Sequence, residues 1–205
     1  MRALIGALGH AVRRQKLTQR PERPAKILVL HELLLGDTLM LAPLLAALRQ
    51  RYPDAEILVT ARPAYGGLFA GKPYGAIVLP FSERDPGALA SLLKARGCDL
   101  AIIPGENRFS VLARALGAKW VVAFGGGQEG WNSRMTDEKI ILPSDPTALA
   151  DMFALLAGDS PDLKRLRYSA GDWPAPDYEA FELPAEPYAV LHVGAGSPLR
   201  LWEPQ

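Results

Sequence analysis

Residues 26–42 read KILVLHELLLGDTLMLA, and this stretch decides the fold. The run at 25–30 is short, wholly apolar after Lys26, and contains β-branched Ile27 and Val29. It follows RPERP at 20–24, where two prolines stop any preceding helix. A short apolar run bounded by breakers reads as a buried parallel strand. HELLLGD at 31–37 then turns the chain, with Gly36 expected to permit a tight turn. Beyond it Leu41, Leu44, Leu45 and Leu48 recur at helical spacing, so an amphipathic helix follows. Thr38 or Asp37 is the expected N-cap, and Pro43 falls in the first turns, where a missing N–H costs little.

Working outward, the same alternation continues. Strands are predicted at 56–60, 76–81, 98–105, 119–126 and 188–196. Helices are predicted at 86–96, closed by Gly97, at 107–118, closed at Gly117, and at 145–159, with Asp145 as cap and Pro146 at its first position. Residues 64–75 read as a loop with a helical turn. Strands alternating with helices every ~25–30 residues imply βαβ units, hence an α/β, Rossmann-like parallel sheet with helices on both faces. The expected organisation is a basic lead-in at 1–24, a Rossmann-like domain at 25–170, a Pro- and acid-rich linker at 171–187, and at 188–205 the truncated start of a second domain.

Composition bounds the function. The chain has 205 residues, 49% apolar and 22% charged, ordinary for a globular protein. With 23 Lys+Arg against 22 Asp+Glu, no bulk positive field argues for nucleic acid. Cys98 is the one cysteine, which excludes an intramolecular disulfide and a cysteine metal cluster. No apolar run approaches the ~18–20 residues of a membrane span. At the start, apolar residues 1–9 precede Arg13, Arg14, Lys16, Arg20 and Arg23. That order is the reverse of a signal peptide. Two readings of the segment stay open: a frayed basic lead-in, or a short amphipathic helix on an anionic membrane surface.

Three stretches fall where parallel sheets collect ligands, at the carboxyl ends of strands. In LHELLLGDTLML (30–41), Asp37 is placed to take a proton from a substrate hydroxyl, or simply to cap its helix. His31 and Glu32 beside it are read as solvated or hydrogen-bonded loop residues. VAFGGGQEGWNSR (122–134) is read as a flexible loop, although its glycine triplet and Arg134 would suit an anion. LHVGAGSPLRLWEP (191–204) offers backbone N–H groups, the Ser197 hydroxyl and the Arg200 guanidinium, a set that suits a diphosphate or forms an ordinary turn. There is no Walker loop, CxxC, HExxH or GxSxG, and His10, His31 and His192 lie far apart.

Two of these stretches together resemble the family-9 glycosyltransferases, which include the ADP-heptose–lipopolysaccharide heptosyltransferases. The first match is Leu35, Gly36, Asp37, Pro43, Leu48, Arg49, Tyr52, Pro53, Ala55 and Ile57. The second is His192, Gly194, Ala195, Ser197, Arg200 and Trp202. Members often carry lysine at the position of Arg200, proline at that of Val193, and a basic or small polar residue at the position of His31–Glu32. The resemblance spans about residues 25–205.

The resemblance implies the N-terminal half of a GT-B fold, with the C-terminal half truncated. It implies Asp37 as general base, Gly36 and Thr38 on the acceptor side, and Gly194, Ala195, Ser197 and Arg200 on the donor phosphates. The implied reaction moves a sugar, heptose, from a nucleotide-diphosphate donor (ADP-heptose) to a hydroxyl of a lipid-linked glycan. The implied enzyme needs no metal and no cofactor. It acts in the cytoplasm, either free or peripherally on the inner face of the inner membrane. The competing reading is a non-catalytic Rossmann-like module that binds a glycan or a protein partner. A dehydrogenase is disfavoured because no GxGxxG follows the first strand. With so little of a donor domain in 205 residues, the expected outcome is no sugar transfer by this chain alone; clear turnover by the purified chain would refute that expectation.

Overall fold

The computed structural model describes residues 17–105, 107–125, 134–158, 172–174, 182 and 184–190. The chain divides into two units, Met1–Pro174 and Ala175–Gln205, and every element below lies in the first. Strand β1 (Lys26–Val29) leads to a short helix α1 (Leu35–Leu39) and then α2 (Ala42–Arg51). β2 (Glu56–Ala61) is followed by 3-10 turns at Pro63–Phe69 and Pro73–Gly75, and β3 (Ile77–Pro80) by α3 (Pro86–Ser91) and a 3-10 turn at Leu92–Ala95. β4 (Leu100–Ile103), α4 (Phe109–Ala115), β5 (Trp120–Phe124), β6 (Glu138–Ile140) and α5 (Leu149–Leu155) complete it.

The six strands form one sheet in the order β3-β2-β1-β4-β5-β6, and every pairing is parallel. Successive residues of a strand point to opposite faces, so the apolar strands build two cores. Ile27, Val29, Ile57, Val59, Leu100 and Ile102 face α2 and α5, where Leu41, Leu44, Leu45, Leu48, Phe153 and Leu156 meet them. Leu28, Leu30, Leu58, Ala101, Ile103 and Val121 face the other way, against Leu92, Ala95, Phe109, Leu112 and Leu116. The Rossmann-like sheet with helices on both faces is therefore present. Its strand order places the direction reversal between β1 and β4, where such sheets open a crevice.

Several expectations are corrected. The helix after the first strand is broken in two, and neither Asp37 nor Thr38 caps it. Leu34, with extended backbone (φ −74°, ψ 170°), precedes the first helical residue, so Asp37 sits inside the first turn. Gly36 is not demanded by the backbone, since its φ is not left-handed and a Cβ there would meet nothing within 4 Å. Asp145 does not cap α5 either, because that helix begins at Leu149 after Ala148. The expected strand at 188–196 is not formed in its first three residues, and 191–196 lie outside the described residues. The sixth strand is instead Glu138–Ile140. Arg20, expected in a loose lead-in, donates to the Leu156 carbonyl at 2.9 Å and pairs with Glu138 at 3.0 Å.

The glycine stop at Gly117 holds, whereas the helix expected over 86–96 is α-helical only to Ser91 and runs on as a 3-10 turn to Ala95 before Gly97. After α4, Gly117 has φ 84°, its N–H donates to the Arg114 carbonyl, and the Ala118 N–H donates to that of Ala113. This is the paired closure that a left-handed residue permits. The matched Arg49 also has a structural task. Its guanidinium donates to the carbonyls of Pro53 (2.7 Å), Ala55 (3.0 Å) and Tyr74 (2.8 Å), tying α2 to the loops around β2.

At the opposite, amino end of the sheet, Asp99 joins three strands. Its carboxylate accepts from the N–H groups of Ala25 and Lys26 and from Lys119 Nζ at 2.7 Å. Burial pushes its pKa up, but the hydrogen bonds from Lys119, Lys26 and Ala25 together outweigh this and hold it below the ordinary value. A carboxyl held low in the folded state adds stability above its unfolded pKa of about 3.9 and loses it as pH falls through the lower folded value. Asp99→Asn is expected to lower Tm at pH 7 and to flatten the loss of Tm below about pH 4. Thermal melts from pH 7 to strong acid check this; parallel acid limbs for both proteins would contradict it.

Candidate functional site

The site grows out of the carboxyl ends of β1 and β4. Leu30 N–H still donates to the Ile102 carbonyl at 2.9 Å, the last bond between the two strands. Past it the β1 loop passes over Gly105, where a Cβ would come 3.4 Å from Leu33 Cδ2. A cleft of about 270 Å3 opens there. One side is lined by Leu33 and Asp37 from the β1 loop and α1, and the floor by Pro104 after β4. The far side is Phe124 at the end of β5, Leu142 past β6, and Leu149, Met152 and Phe153 of α5. Phe124 and Phe153 stack with centroids 6.3 Å apart, and Asn107 holds the Phe124 carbonyl at 3.0 Å.

Among the described residues, Asp37 is the one ionisable group in that lining. It is half-buried, and its carboxylate makes no hydrogen bond or ion pair with the described residues. Asp37 makes no capping bond; as an acidic residue in the first turn it suits the helix N-terminus electrostatically, and it also lines the cleft. Thr38 points the other way. It is fully buried, and its hydroxyl donates to the Leu34 carbonyl at 2.8 Å, alongside its own N–H. Gly36 is exposed beside Asp37.

Of the two readings of His31 and Glu32, the hydrogen-bonded one holds. His31 is completely buried. Its N–H donates to Thr60 Oγ1, and Thr60 Oγ1 donates to the His31 carbonyl, both at 2.7 Å. Its Nδ1 accepts the Leu33 N–H at 3.2 Å, so Nε2 carries the proton, and it has no hydrogen-bond partner among the described residues. Burial pushes the imidazole pKa down to about 3. The Glu32 carboxylate accepts from Ser82 Oγ at 3.0 Å and lies 3.9 Å from Arg62 Nε. Arg62 also donates to the Glu32 carbonyl, and Glu83 pairs with Arg108 at 3.0 Å.

Sequence reasoning passed over Arg62, Glu83 and Arg108. A usable signal existed: each follows closely on the carboxyl end of an apolar strand. Arg134 is described and exposed, whereas residues 126–133 of its loop lie outside the described residues. The donor candidates Gly194, Ala195, Ser197 and Arg200, with His192 and Trp202, also lie outside them. Among the described residues, no group of three or more His, Cys, Asp or Glu side chains is placed to hold a metal ion. No described helix is long and apolar enough to cross a membrane.

The glycosyl transferase family 9 protein from Veillonella parvula DSM 2008 superposes with a TM-score of 0.54 at 19% identity, over 66% of this chain and 40% of that one. E. coli ADP-heptose lps heptosyltransferase II superposes with a TM-score of 0.52 at 24% identity, over 74% of this chain and 44% of that one. E. coli heptosyltransferase WaaC, solved with ADP, gives 0.54 at 16% identity, over 70% and 48%. The fold is the one these glycosyltransferases share. The chain spans less than half the length of each of them. No protein-family model matches the sequence, and no curated protein does.

The buried imidazole makes a pH prediction. In the folded state it stays neutral well below the ordinary value of 6.5, while in the unfolded chain it protonates near 6.5. The folded state then binds fewer protons, so stability is full above about pH 6.5 and declines as pH falls toward the folded value. NMR of the imidazole is expected to show no titration between pH 8 and 5, with the proton on Nε2. A midpoint near 6.5 in the folded protein would contradict the burial.

Proposed function

We propose that this chain is the acceptor-side half of a glycosyltransferase, and that Asp37 is its general base. The observation that carries the proposal is the unengaged Asp37 carboxylate in the cleft at the sheet's switch point. An acceptor hydroxyl within hydrogen-bond reach would lose its proton to Asp37 as its oxygen attacks the anomeric carbon of the donor. The new C–O bond forms as the bond from that carbon to the nucleotide diphosphate breaks. The apolar walls from β5 and α5 limit water, the competing nucleophile, at the reacting carbon. The exposed backbone at Gly36 is left for the acceptor to approach, and Thr38 serves the site by fixing the Leu34 turn.

The sugar we propose is heptose, delivered from ADP-heptose to a lipopolysaccharide-type lipid-linked glycan. Support comes from the sequence resemblance and from neighbours of the same fold, one of them solved with ADP-2-deoxy-2-fluoro heptose. Gly194, Ala195, Ser197 and Arg200 are the proposed donor contacts, with Arg200 offsetting charge on the departing diphosphate. Neither a metal nor a cofactor is part of the proposal. The proposed place of action is the cytoplasmic face of the inner membrane, where a lipid-linked acceptor would lie.

Asp37→Asn is isosteric and removes the base without removing any observed contact. With both halves of the enzyme present, it is expected to reduce turnover by roughly 10²–10⁴-fold, the usual contribution of a general base. Tm should be essentially unchanged. Sugar transfer measured with the nucleotide-sugar donor, together with a melting curve, checks this. Near-normal turnover would remove Asp37 from the mechanism. Glycan binding without any transfer by the unmodified enzyme would favour a binding module.

A further inference from the structure

The segment that carries Asp37 leaves the sheet at Leu30 and does not rejoin it until β2. Between the two it must satisfy its own backbone groups, because unpaired buried N–H and C=O groups are costly. His31 supplies the first anchor. Its N–H and carbonyl are both engaged by the Thr60 hydroxyl of β2, at 2.7 Å each. Its ring then reaches forward two residues and accepts the Leu33 N–H at 3.2 Å. The next residue, Leu34, closes the turn by accepting both the N–H and the hydroxyl of Thr38 at 2.8 Å. Asp37 lies between those two bonds, one residue before Thr38, and Leu33 shares the cleft lining with it.

From this geometry we propose that His31 is a positioning residue: with its backbone anchored by Thr60, its ring holds the Leu33 N–H and so sets where the Asp37 carboxylate stands in the cleft. The idea rests on the reading of Asp37 as base. A buried ring with one nitrogen unpartnered among the described residues is a poor choice for packing alone, since an apolar side chain of similar size would leave no N–H unpaired. The ring is a good choice if the acceptor at Nδ1 is what matters. The lowered pKa fits, since protonation would turn that acceptor into a donor facing the Leu33 N–H. The ring acts on the loop and is itself fully buried, so it is not placed among the groups that touch substrate.

Two substitutions separate this role from simple core filling. His31→Asn keeps an acceptor at the Nδ1 position, while His31→Gln places its amide nearer the Nε2 position. Both leave space behind, so both should lower Tm by similar amounts. Amide exchange on this chain is expected to show Leu33 protected in the native protein and in His31→Asn, but exposed in His31→Gln. With both halves present, His31→Gln should lose roughly 10–100-fold in kcat with acceptor KM little changed, in line with the cost of small misplacements at a reacting centre. His31→Asn should stay within a few-fold of native kcat.

Thr60 gives a second pair should either histidine variant fail to fold. Thr60→Ser keeps the hydroxyl and should keep kcat; Thr60→Val removes it and should lose kcat. Equal Leu33 protection in the Asn and Gln variants, or equal kcat within both pairs, would overturn the proposal. The exchange arm stands apart from the chemistry: if Asp37→Asn retained turnover, the base assignment would fall, while Leu33 exchange would still decide whether His31 holds the loop.

Discussion

Everything at this site depends on two neighbouring parallel strands sending their connections to opposite faces of one sheet. β1 passes into α2, which covers the face bearing Ile27 and Val29, and β4 passes into α4, which covers the face bearing Leu28 and Leu30. After the Leu30–Ile102 bond the two chains must part. Nothing in a parallel sheet can fill the gap between them, and the gap becomes the crevice. The cleft is therefore a consequence of topology, and its chemistry comes from whichever side chains the departing loops carry.

Here the β1 loop carries a carboxylate and very little else that is free to react. Its polar neighbours are spent on one another. His31 is tied to Thr60 and Leu33, Thr38 to Leu34, and Glu32 to Ser82 and Arg62. Such satisfaction matters most at the two buried ends of the loop, His31 and Thr38, where an unpaired polar group costs on the order of 1–3 kcal/mol. The opposite wall, from β5 and α5, is apolar. Among the described residues, Asp37 is the single ionisable group facing that apolar wall.

The matched residues divide by physical role. Asp37 faces the cleft. Arg49 instead gathers four carbonyls around the start of β2 and the turn before β3, so it maintains the scaffold. Asp99 does comparable work at the far end of the sheet, where it touches β1, β4 and the approach to β5. A resemblance carried by both kinds of residue speaks to the fold at least as strongly as to the chemistry.

Much of the architecture was legible because apolar runs of four to six residues, set between prolines and glycines, leave few alternatives to buried strands. Gly97 and Gly117 marked helix ends for the same local reason, since φ of 70° and 84° suits glycine. β6 was not legible: it is three residues long, and Glu138 and Lys139 give it no apolar pattern. The caps were misread because Asp and Thr favour that position in general, while here Thr38 satisfies a carbonyl one turn back.

The sequence by itself determined the alternation of strands and helices, and it marked Asp37 as a carboxylate on a turn after the first strand. Only the tertiary structure decided that Asp37 shares a cleft with Phe124, Leu142, Leu149, Met152 and Phe153, and that His31 on the same loop is sealed from water. The reason is range. Local preference acts over a few residues, whereas the far wall of the cleft lies more than eighty residues along the chain and arrives only when the sheet assembles.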